Sequence, residues 1–158
     1  MAAMTFDVSV MEEFVPLING LTAVIASDDE INNPMMLGDL IVKNKVDIMT
    51  STPTYVSNII DIPQLKEAMA QIKVFDLGAE AFPPALYDKI RTVNPDVYIM
   101  NGYGPTETTI SCTMKVITDS KNITIGVPNG NVKVYIVDKE NKILPDGETG
   151  ELVVAGME

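Results

Sequence analysis

Short apolar segments alternate with polar and turn-forming segments along the first 110 residues. Apolar side chains at helical spacing over residues 10–18 predict a helix that Ser9 caps and Gly20 ends. Further helices are predicted over residues 34–45, 53–60, 64–71 and 83–93, and short strands over 22–26, 46–50, 74–77 and 97–100, with a polar loop at 27–33. This alternation predicts βα units on a mainly parallel sheet over about residues 6–110.

The pattern changes after Ile110. Val132, Val134 and Ile136 recur at every second position, which is the spacing of a strand with one buried face. Turn-rich segments on either side predict two more short strands, at 143–144 and 151–155. We therefore predict an α/β fold in which a mainly parallel part, residues 1–110, is followed by antiparallel β ribbons over residues 111–158.

Composition excludes several classes of protein. The chain of 158 residues has a formal charge of −11 and no histidine. The absence of a basic footprint argues against nucleic-acid binding, and the lack of histidine excludes Ser-His and Cys-His triads and histidine zinc sites. The single cysteine, Cys112, excludes an internal disulfide, so we expect a cytoplasmic protein. No apolar run reaches the roughly 18 residues that a membrane helix needs.

The stretch NGYGPTETTI, residues 101–110, directly follows a predicted parallel strand. Ligands of open α/β sheets bind at the carboxyl ends of such strands. The stretch offers glycines for close approach, a tyrosine ring for stacking, threonine hydroxyls, and a carboxylate that could hold Mg²⁺ beside phosphates. These residues are Gly102, Gly104, Tyr103, Thr106, Thr108 and Glu107. The alternative is a tight turn with a helix cap at Thr106.

As a whole, this stretch resembles the ATP-binding signature of the adenylate-forming superfamily, in the form used by adenylation domains of nonribosomal peptide synthetases. Other segments resemble that family's motifs in the same order: FDVSV at 6–10, TSTPTYV at 50–56, LGAEAFP at 77–83, ITIGVPNGNVKVYIVD at 123–138 and PDGETGELVVAG at 145–156. The resemblance implies that residues 1–110 form an α/β subdomain with amino-acid and ATP sites. It also implies that residues 111–158 begin a barrel-like subdomain.

The resemblance implies a nucleotide site that takes ATP and Mg²⁺. Tyr103 is expected to stack on adenine and Glu107 to hold Mg²⁺, while Thr106 or Thr108 touches the α-phosphate. Thr106 and Glu107 are therefore the catalytic candidates. The remaining residues expected around the nucleotide are Gly78, Ala79, Glu80, Asn101 and Gly104.

The resemblance also implies an amino-acid site in which Asp7 binds the α-ammonium group. A carboxylate facing an ammonium ion forms a charge-assisted hydrogen bond, which supports this role. The alternative is that Asp7 only assists the helix cap at Ser9. The expected lining of the side-chain pocket carries no charge, which favours a neutral, apolar substrate side chain. It consists of Val8, Met11, Thr50, Phe75, Leu77, Gly102, Ile110 and Ser111.

The implied reaction joins the amino-acid carboxylate to the α-phosphorus of ATP and releases pyrophosphate. The acyl group then passes to a phosphopantetheine thiol on a carrier domain, so carrier and condensation domains are the expected partners. Three family segments are missing from the sequence: a phosphate loop ending in lysine, a Thr-Gly-Asp segment and a mobile C-terminal domain with its lysine. We therefore expect a fragment of a longer synthetase that forms no adenylate alone and self-associates through its terminal ribbons.

Three alternatives remain. A fragment of a D-alanine–carrier-protein ligase is the nearest, because FDVSVME, TSTP and IMNGYGPTE fit that family as well. LGAEAFP favours the synthetase, since the ligase tends to carry a cysteine near that segment. An acyl-CoA ligase has no need of an ammonium-binding Asp7, and a non-catalytic interaction module is an alternative of a different class.

Overall fold

A computed structural model of the protein describes residues 4–156. Its helices are α1 (Val8–Ile18), α2 (Asp28–Asn32), α3 (Pro34–Asn44), α4 (Pro53–Ile59), α5 (Lys66–Gln71) and α6 (Pro84–Val93), with single 3-10 turns at Pro63–Leu65 and Thr106–Thr108. Its strands are β1 (Ile48–Ser51), β2 (Val74–Gly78), β3 (Tyr98–Tyr103), β4 (Thr113–Val116), β5 (Val127–Pro128), β6 (Val132–Val137) and β7 (Glu151–Gly156).

Strands β1 to β5 form one sheet in chain order. β1, β2 and β3 are parallel, β4 pairs antiparallel with β3, and β5 pairs antiparallel with β4. β6 and β7 form a separate antiparallel pair. The predicted α/β fold class is confirmed, and the change from parallel to antiparallel pairing occurs inside the first sheet.

One face of this sheet carries the hydrophobic core. Phe75, Leu77 and Ile99 are fully buried on that face, and helices α3 to α6 cover them with residues such as Ile41 and Ile90. The opposite face is only partly covered, since Ile48 and Tyr98 are about half exposed there. The sheet therefore has a packed face and an open face.

Register decides which side chains reach the open face. Successive side chains of a strand point to opposite faces. Thr50, Asp76 and Met100 are aligned neighbours across β1, β2 and β3, and all three are partly exposed. Phe75 and Ile99, one position earlier, lie in the core. The parallel strands thus present a row of non-core side chains near their carboxyl ends.

Helix α1 begins earlier than the sequence predicts. Asp7, rather than Ser9, is its N-cap residue, and its carboxylate accepts a hydrogen bond from the Val8 backbone N–H at 2.9 Å. The Ser9 hydroxyl instead donates to the Phe6 carbonyl at 2.7 Å, inside the first turn. Ser9 therefore stabilises the turn without capping the helix.

Two predictions between residues 20 and 33 were wrong. The predicted strand at 22–26 has no hydrogen-bonded partner strand, and these residues form neither helix nor strand. The predicted loop at 27–33 contains helix α2, which begins with a capping box in which Ser27 and Glu30 bond each other's backbone N–H groups. Of the two short strands predicted near the C-terminus, residues 143–144 form only an isolated bridge, from Ile143 to Val137.

Helix α1 leaves most of its apolar side chains uncovered. Phe14, Leu17 and Ile18 are each more than half exposed, and Ser9 is the only buried residue of this helix. Contiguous exposed apolar surface of this kind is unusual for a free-standing domain. Within residues 4–156, no helix combines the length and apolar character that crossing a membrane requires.

Candidate functional site

A cleft of about 630 Å³ lies at the carboxyl ends of β1, β2 and β3, on the open face of the sheet. The start of α1 and the loop after β3 complete its walls. Most of the site residues expected from the sequence line it: Asp7, Val8, Met11, Thr50, Gly78, Ala79, Glu80, Gly102, Gly104, Thr106, Ile110 and Ser111. The topology therefore gathers residues that are up to about a hundred positions apart in the chain.

Asp7 both caps α1 and lines the cleft. One carboxylate oxygen accepts from the Val8 N–H, and the side chain is half-buried at the cleft wall. Capping and substrate binding are therefore compatible, because a carboxylate has two oxygens and about four lone-pair sites. The assignment of Asp7 to the α-ammonium group stays a prediction.

The loop from Gly104 to Ser111 is held in a strained, closed shape. A Cβ atom on Gly104 would lie 2.5 Å from the Cα atom of Ser111, so only glycine fits at this crossing. Thr109 and Ile110 have positive φ angles of 51° and 71°. Such a conformation is an outlier for a β-branched residue, and strain of this kind concentrates at functional sites.

Backbone and side-chain hydrogen bonds close the base of this loop. The Cys112 N–H donates to the Tyr103 carbonyl at 2.9 Å. The Asn129 amide donates to the carbonyl oxygen of Ser111 at 2.8 Å and to its hydroxyl oxygen at 3.1 Å. Asn129 was not expected from the sequence, since its role depends on a contact 18 positions away in the chain.

The segment Gly78-Ala79-Glu80 forms the wall beside this loop. A Cβ on Gly78 would meet the Gly102 carbonyl at 2.8 Å, so β2 and β3 approach closely here, and Ala79 has a φ of 66°. The Glu80 carboxylate accepts from the Thr54 N–H at 3.0 Å, at the start of α4. Hydrogen bonds from the side chain and backbone of Thr54 lower the pKa of Glu80. Glu80 therefore stays ionised at neutral pH.

The structure corrects the prediction for Phe75 and Leu77. Both side chains are fully buried in the core behind the sheet, and neither lines the cleft. Asp76 and Gly78 occupy the cleft-facing positions of β2 instead. A shift of one position along a strand exchanges its two faces, which is the physical reason for the error.

Asp76 changes the electrostatics of the cleft. Burial raises the pKa of its carboxyl group, and the negative charge of Glu12 on α1 raises it further. The side-chain pocket expected from the sequence carries no charge, and Asp7 and Glu80 are expected at the ammonium group and the nucleotide, whereas the structure adds the carboxylate of Asp76 to the cleft lining. The argument for a neutral substrate side chain therefore loses its premise.

The remaining expected residues lie around the cleft without lining it. Asn101 is buried, and its amide donates to the Thr124 carbonyl at 3.0 Å, away from the cleft. Tyr103 is 40% exposed, so the residue is accessible from solvent. Thr108 donates its hydroxyl to the Pro105 carbonyl, while Glu107 is exposed in the same 3-10 turn. The roles assigned to them stay predictions.

Glu107 is suited to share a metal ion with a ligand and unsuited to bind one alone. Among residues 4–156, no three acidic, cysteine or histidine side chains lie close enough together to hold a metal ion. Mg²⁺ is commonly bound by one or two carboxylates together with phosphates of a substrate. A single exposed carboxylate beside the cleft fits that mode of binding.

Comparisons with known proteins agree on one group of enzymes. All 158 residues match the family model described as AMP-binding enzyme. The chain is 33% identical to a D-alanine–D-alanyl carrier protein ligase of Bacillus velezensis over 98% of its own length and 32% of the ligase. It is 32% identical to tyrocidine synthase 3 of Brevibacillus parabrevis over 96% of its length and 2% of the synthase.

A solved structure supports the same grouping. A four-domain nonribosomal peptide synthetase, crystallised with AMP and glycine, superposes with a TM-score of 0.88 at 27% identity. The superposition covers 99% of this chain and 12% of the synthetase chain. This chain thus spans a third or less of the proteins that it matches here.

Proposed function

The chain belongs to the AMP-binding enzyme family, and we propose that it forms the amino-acid and ATP site of a nonribosomal peptide synthetase adenylation domain. One observation carries the proposal. Asp7 and the loop that contains Gly104 and Thr106 line the same cleft. The carboxylate of Asp7 is suited to bind an α-ammonium group, and the loop is suited to bind phosphates. An amino acid and a nucleotide that share this cleft are held side by side.

The proposed reaction forms an aminoacyl adenylate. A carboxylate oxygen of the amino acid bonds to the α-phosphorus of ATP, and the bond from that phosphorus to the bridging oxygen breaks. Pyrophosphate leaves with the bonding electron pair, so no protein nucleophile and no histidine are needed. Phosphoryl-type transfer of this kind depends on positioning and charge stabilisation.

The residues of the chain orient the two reactants. Asp7 fixes the amino acid by its ammonium group, and the Thr106 hydroxyl lies at the cleft wall where the α-phosphate is proposed to sit. Tyr103 offers its exposed ring to adenine. Glu107 would hold Mg²⁺ together with the phosphates, where the ion neutralises charge on the departing pyrophosphate.

The carrier partner follows from the product. An acyl adenylate is a mixed anhydride, and a thiol is a suitable acceptor for its acyl group. The relatives include a carrier-protein ligase and a multidomain peptide synthetase. We therefore propose a phosphopantetheine thiol on a carrier domain as the acceptor, with condensation domains in the same assembly.

The test is amino-acid-dependent exchange between pyrophosphate and ATP, measured on the full-length protein that contains this chain. Each common L-amino acid and D-alanine is supplied separately. We expect exchange with one L-amino acid or a small group of them, and a loss of at least about 100-fold in Glu107→Gln. An Asp61→Asn variant, which changes an exposed carboxylate that does not line the cleft, is the matched control. The absence of exchange with every amino acid would overturn the proposal.

A second candidate is supported by the 33% identity to the D-alanine–D-alanyl carrier protein ligase. Exchange with D-alanine alone would establish it. The residues that follow Ile110 also match both kinds of relative, so the substrate panel decides between them. We further predict that residues 1–158 alone give no exchange, because the family's phosphate loop and C-terminal lysine are missing from them.

A further inference from the structure

We propose that Asp76 selects the substrate: its carboxylate binds a cationic side chain, so the amino acid activated in this cleft carries an ammonium or guanidinium group on its side chain. This inference rests on the proposed function, because it assigns the substrate class of the same cleft. It differs from the expectation of a neutral substrate. The argument uses the register of β2, the burial of Asp76 and the charges around the cleft.

Register places Asp76 on the floor of the cleft. It lies between its aligned neighbours Thr50 on β1 and Met100 on β3, on the open face of the sheet. Gly78 lies two positions further along the same face of β2, and it has no side chain that could cover the Asp76 carboxylate. A ligand group that enters the cleft therefore has direct access to Asp76.

Burial makes an uncompensated carboxylate unfavourable at this position. The side chain is shielded enough for its pKa to be raised, and a buried charge is destabilising unless it is paired. Among the described residues that line the cleft, none is a lysine or an arginine. Two ion pairs between described residues, Lys73 with Asp47 and Lys89 with Asp61, involve no residue that lines the cleft. Among the described residues of the cleft lining, the partly buried carboxylate of Asp76 therefore has no lysine or arginine beside it.

The surrounding charges favour a ligand with more than one positive charge. Asp7, at the start of α1, and Asp76, on β2, both line the cleft and each provides a carboxylate. With Asp7 assigned to the α-ammonium group, Asp76 offers a second, separate anionic partner. An apolar substrate side chain would instead desolvate Asp76 without pairing it, which is unfavourable.

Pyrophosphate exchange on the full-length protein tests the inference with matched substrate pairs. L-lysine is compared with L-norleucine, and L-arginine with L-citrulline, so that charge changes while length is nearly kept. We expect the cationic member of a pair to give the higher kcat/KM. In Asp76→Asn we expect kcat/KM for that amino acid to fall about 10- to 100-fold, with little change for its neutral partner. Asp61→Asn controls for the loss of a carboxylate elsewhere.

The outcomes separate this inference from the proposed function. Exchange that is strongest with a neutral amino acid, or an equal loss for both members of a pair in Asp76→Asn, would overturn the role of Asp76 and leave amino-acid activation in place. The absence of exchange with any amino acid would remove the proposed function, and this inference with it. A selective loss for the cationic substrate supports both, since a merely structural defect would lower both members alike.

Discussion

Asp76 lowers the stability of the ligand-free protein at neutral pH. Burial, reinforced by Glu12, raises the pKa of its carboxyl group above the usual value of 3.8. The folded state therefore binds this proton more tightly than the unfolded chain does. The favourable contribution of protonated Asp76 is complete below about pH 3.8 and is lost as the pH rises through the raised, folded-state pKa.

This linkage predicts that Asp76→Asn is more stable than the original protein at pH 7, and that the difference disappears as the pH falls towards 3.8. Urea unfolding of both proteins at several pH values between 3 and 7 provides the measurement. Asp61→Asn, at an exposed ion pair, should not reproduce the trend. A stability difference that does not vary with pH would contradict the assignment.

Gly104 is the residue at which backbone crowding is most restrictive in the loop from Gly104 to Ser111. A side chain there must displace the Ser111 backbone, because the added Cβ would come within 2.5 Å of the Ser111 Cα. We predict that Gly104→Ala destabilises the protein by about 1–3 kcal/mol, in the range found for overpacked sites. Gly130→Ala is the control, since nothing lies within 4 Å of an added Cβ at that glycine. Chemical denaturation measures the stability of both variants. A loss in Gly104→Ala alone is expected from crowding, whereas equal losses would show that any replacement of glycine has the same effect.

At the scale of elements, Asn94 joins the ends of two helices. It follows α6, and its buried amide donates to the carbonyls of Met69, Ala70 and Ile72 at the end of α5, at 2.7 to 3.1 Å. Asn94→Ala leaves these carbonyls without their donor, and we predict a loss of about 1–3 kcal/mol. Asn44→Ala removes a similar but exposed amide-to-carbonyl bond and should change stability by less than about 1 kcal/mol. Equal losses of unfolding free energy in the two variants would show that burial of the Asn94 hydrogen bonds does not add to stability.

Helix α1, which forms part of the cleft wall, is weakly anchored to the core. Its only buried residue is Ser9, whereas α6 buries Leu86 and Ile90 in the core. Few buried apolar contacts lower the free energy of local opening. We therefore predict that backbone amides in α1 exchange with deuterium at least about tenfold faster than those in the middle of α6, as measured by mass spectrometry on the isolated chain.

Element by element, the sequence predicts the parallel strands and the helices between them well, because each is a short apolar block framed by Gly, Pro or a capping residue. It fails at residues 22–26, where apolar residues satisfy a strand pattern but no partner strand lies beside them. It also fails at 27–33, where the capping pair Ser27 and Glu30 was present in the sequence and was outweighed by the polarity of the segment.

Most residues expected at the site line one cleft, while the roles assigned to them stay predictions. Gly78, Ala79 and Glu80 of the motif LGAEAFP lie in its wall, whereas Phe75 and Leu77 lie on the opposite face of β2 from the one that the predicted pocket requires. The signal for the correct face was available, since Asp76 is the only charged residue between Val74 and Gly78 and alternates with the core residues Phe75 and Leu77. The bonds from Asn129 to Ser111 depend on tertiary pairing, and no local pattern reveals them.

At the scale of the whole molecule, the exposed apolar face of α1 is a second surface at which self-association is expected, beside the terminal ribbons. Phe14, Leu17 and Ile18 are 58%, 60% and 77% exposed, against 37% for Val153 on β7. We predict concentration-dependent association of residues 1–158 in sedimentation velocity runs. Phe14→Ser should weaken it at least about fivefold and Val153→Thr should change it little. If Val153→Thr weakens association and Phe14→Ser does not, the terminal ribbon is the association surface.

The position of Asp76 on a regular strand has a consequence for how substrate choice can evolve. Its backbone is paired on both sides, with β1 and with β3, and these pairings do not involve the side chain. Replacement of this one side chain therefore leaves the ladder of the sheet intact and changes only what the floor of the cleft offers to a ligand. Under the role proposed for Asp76, a point substitution at this position changes the preferred amino acid while the backbone pairing of the sheet is kept.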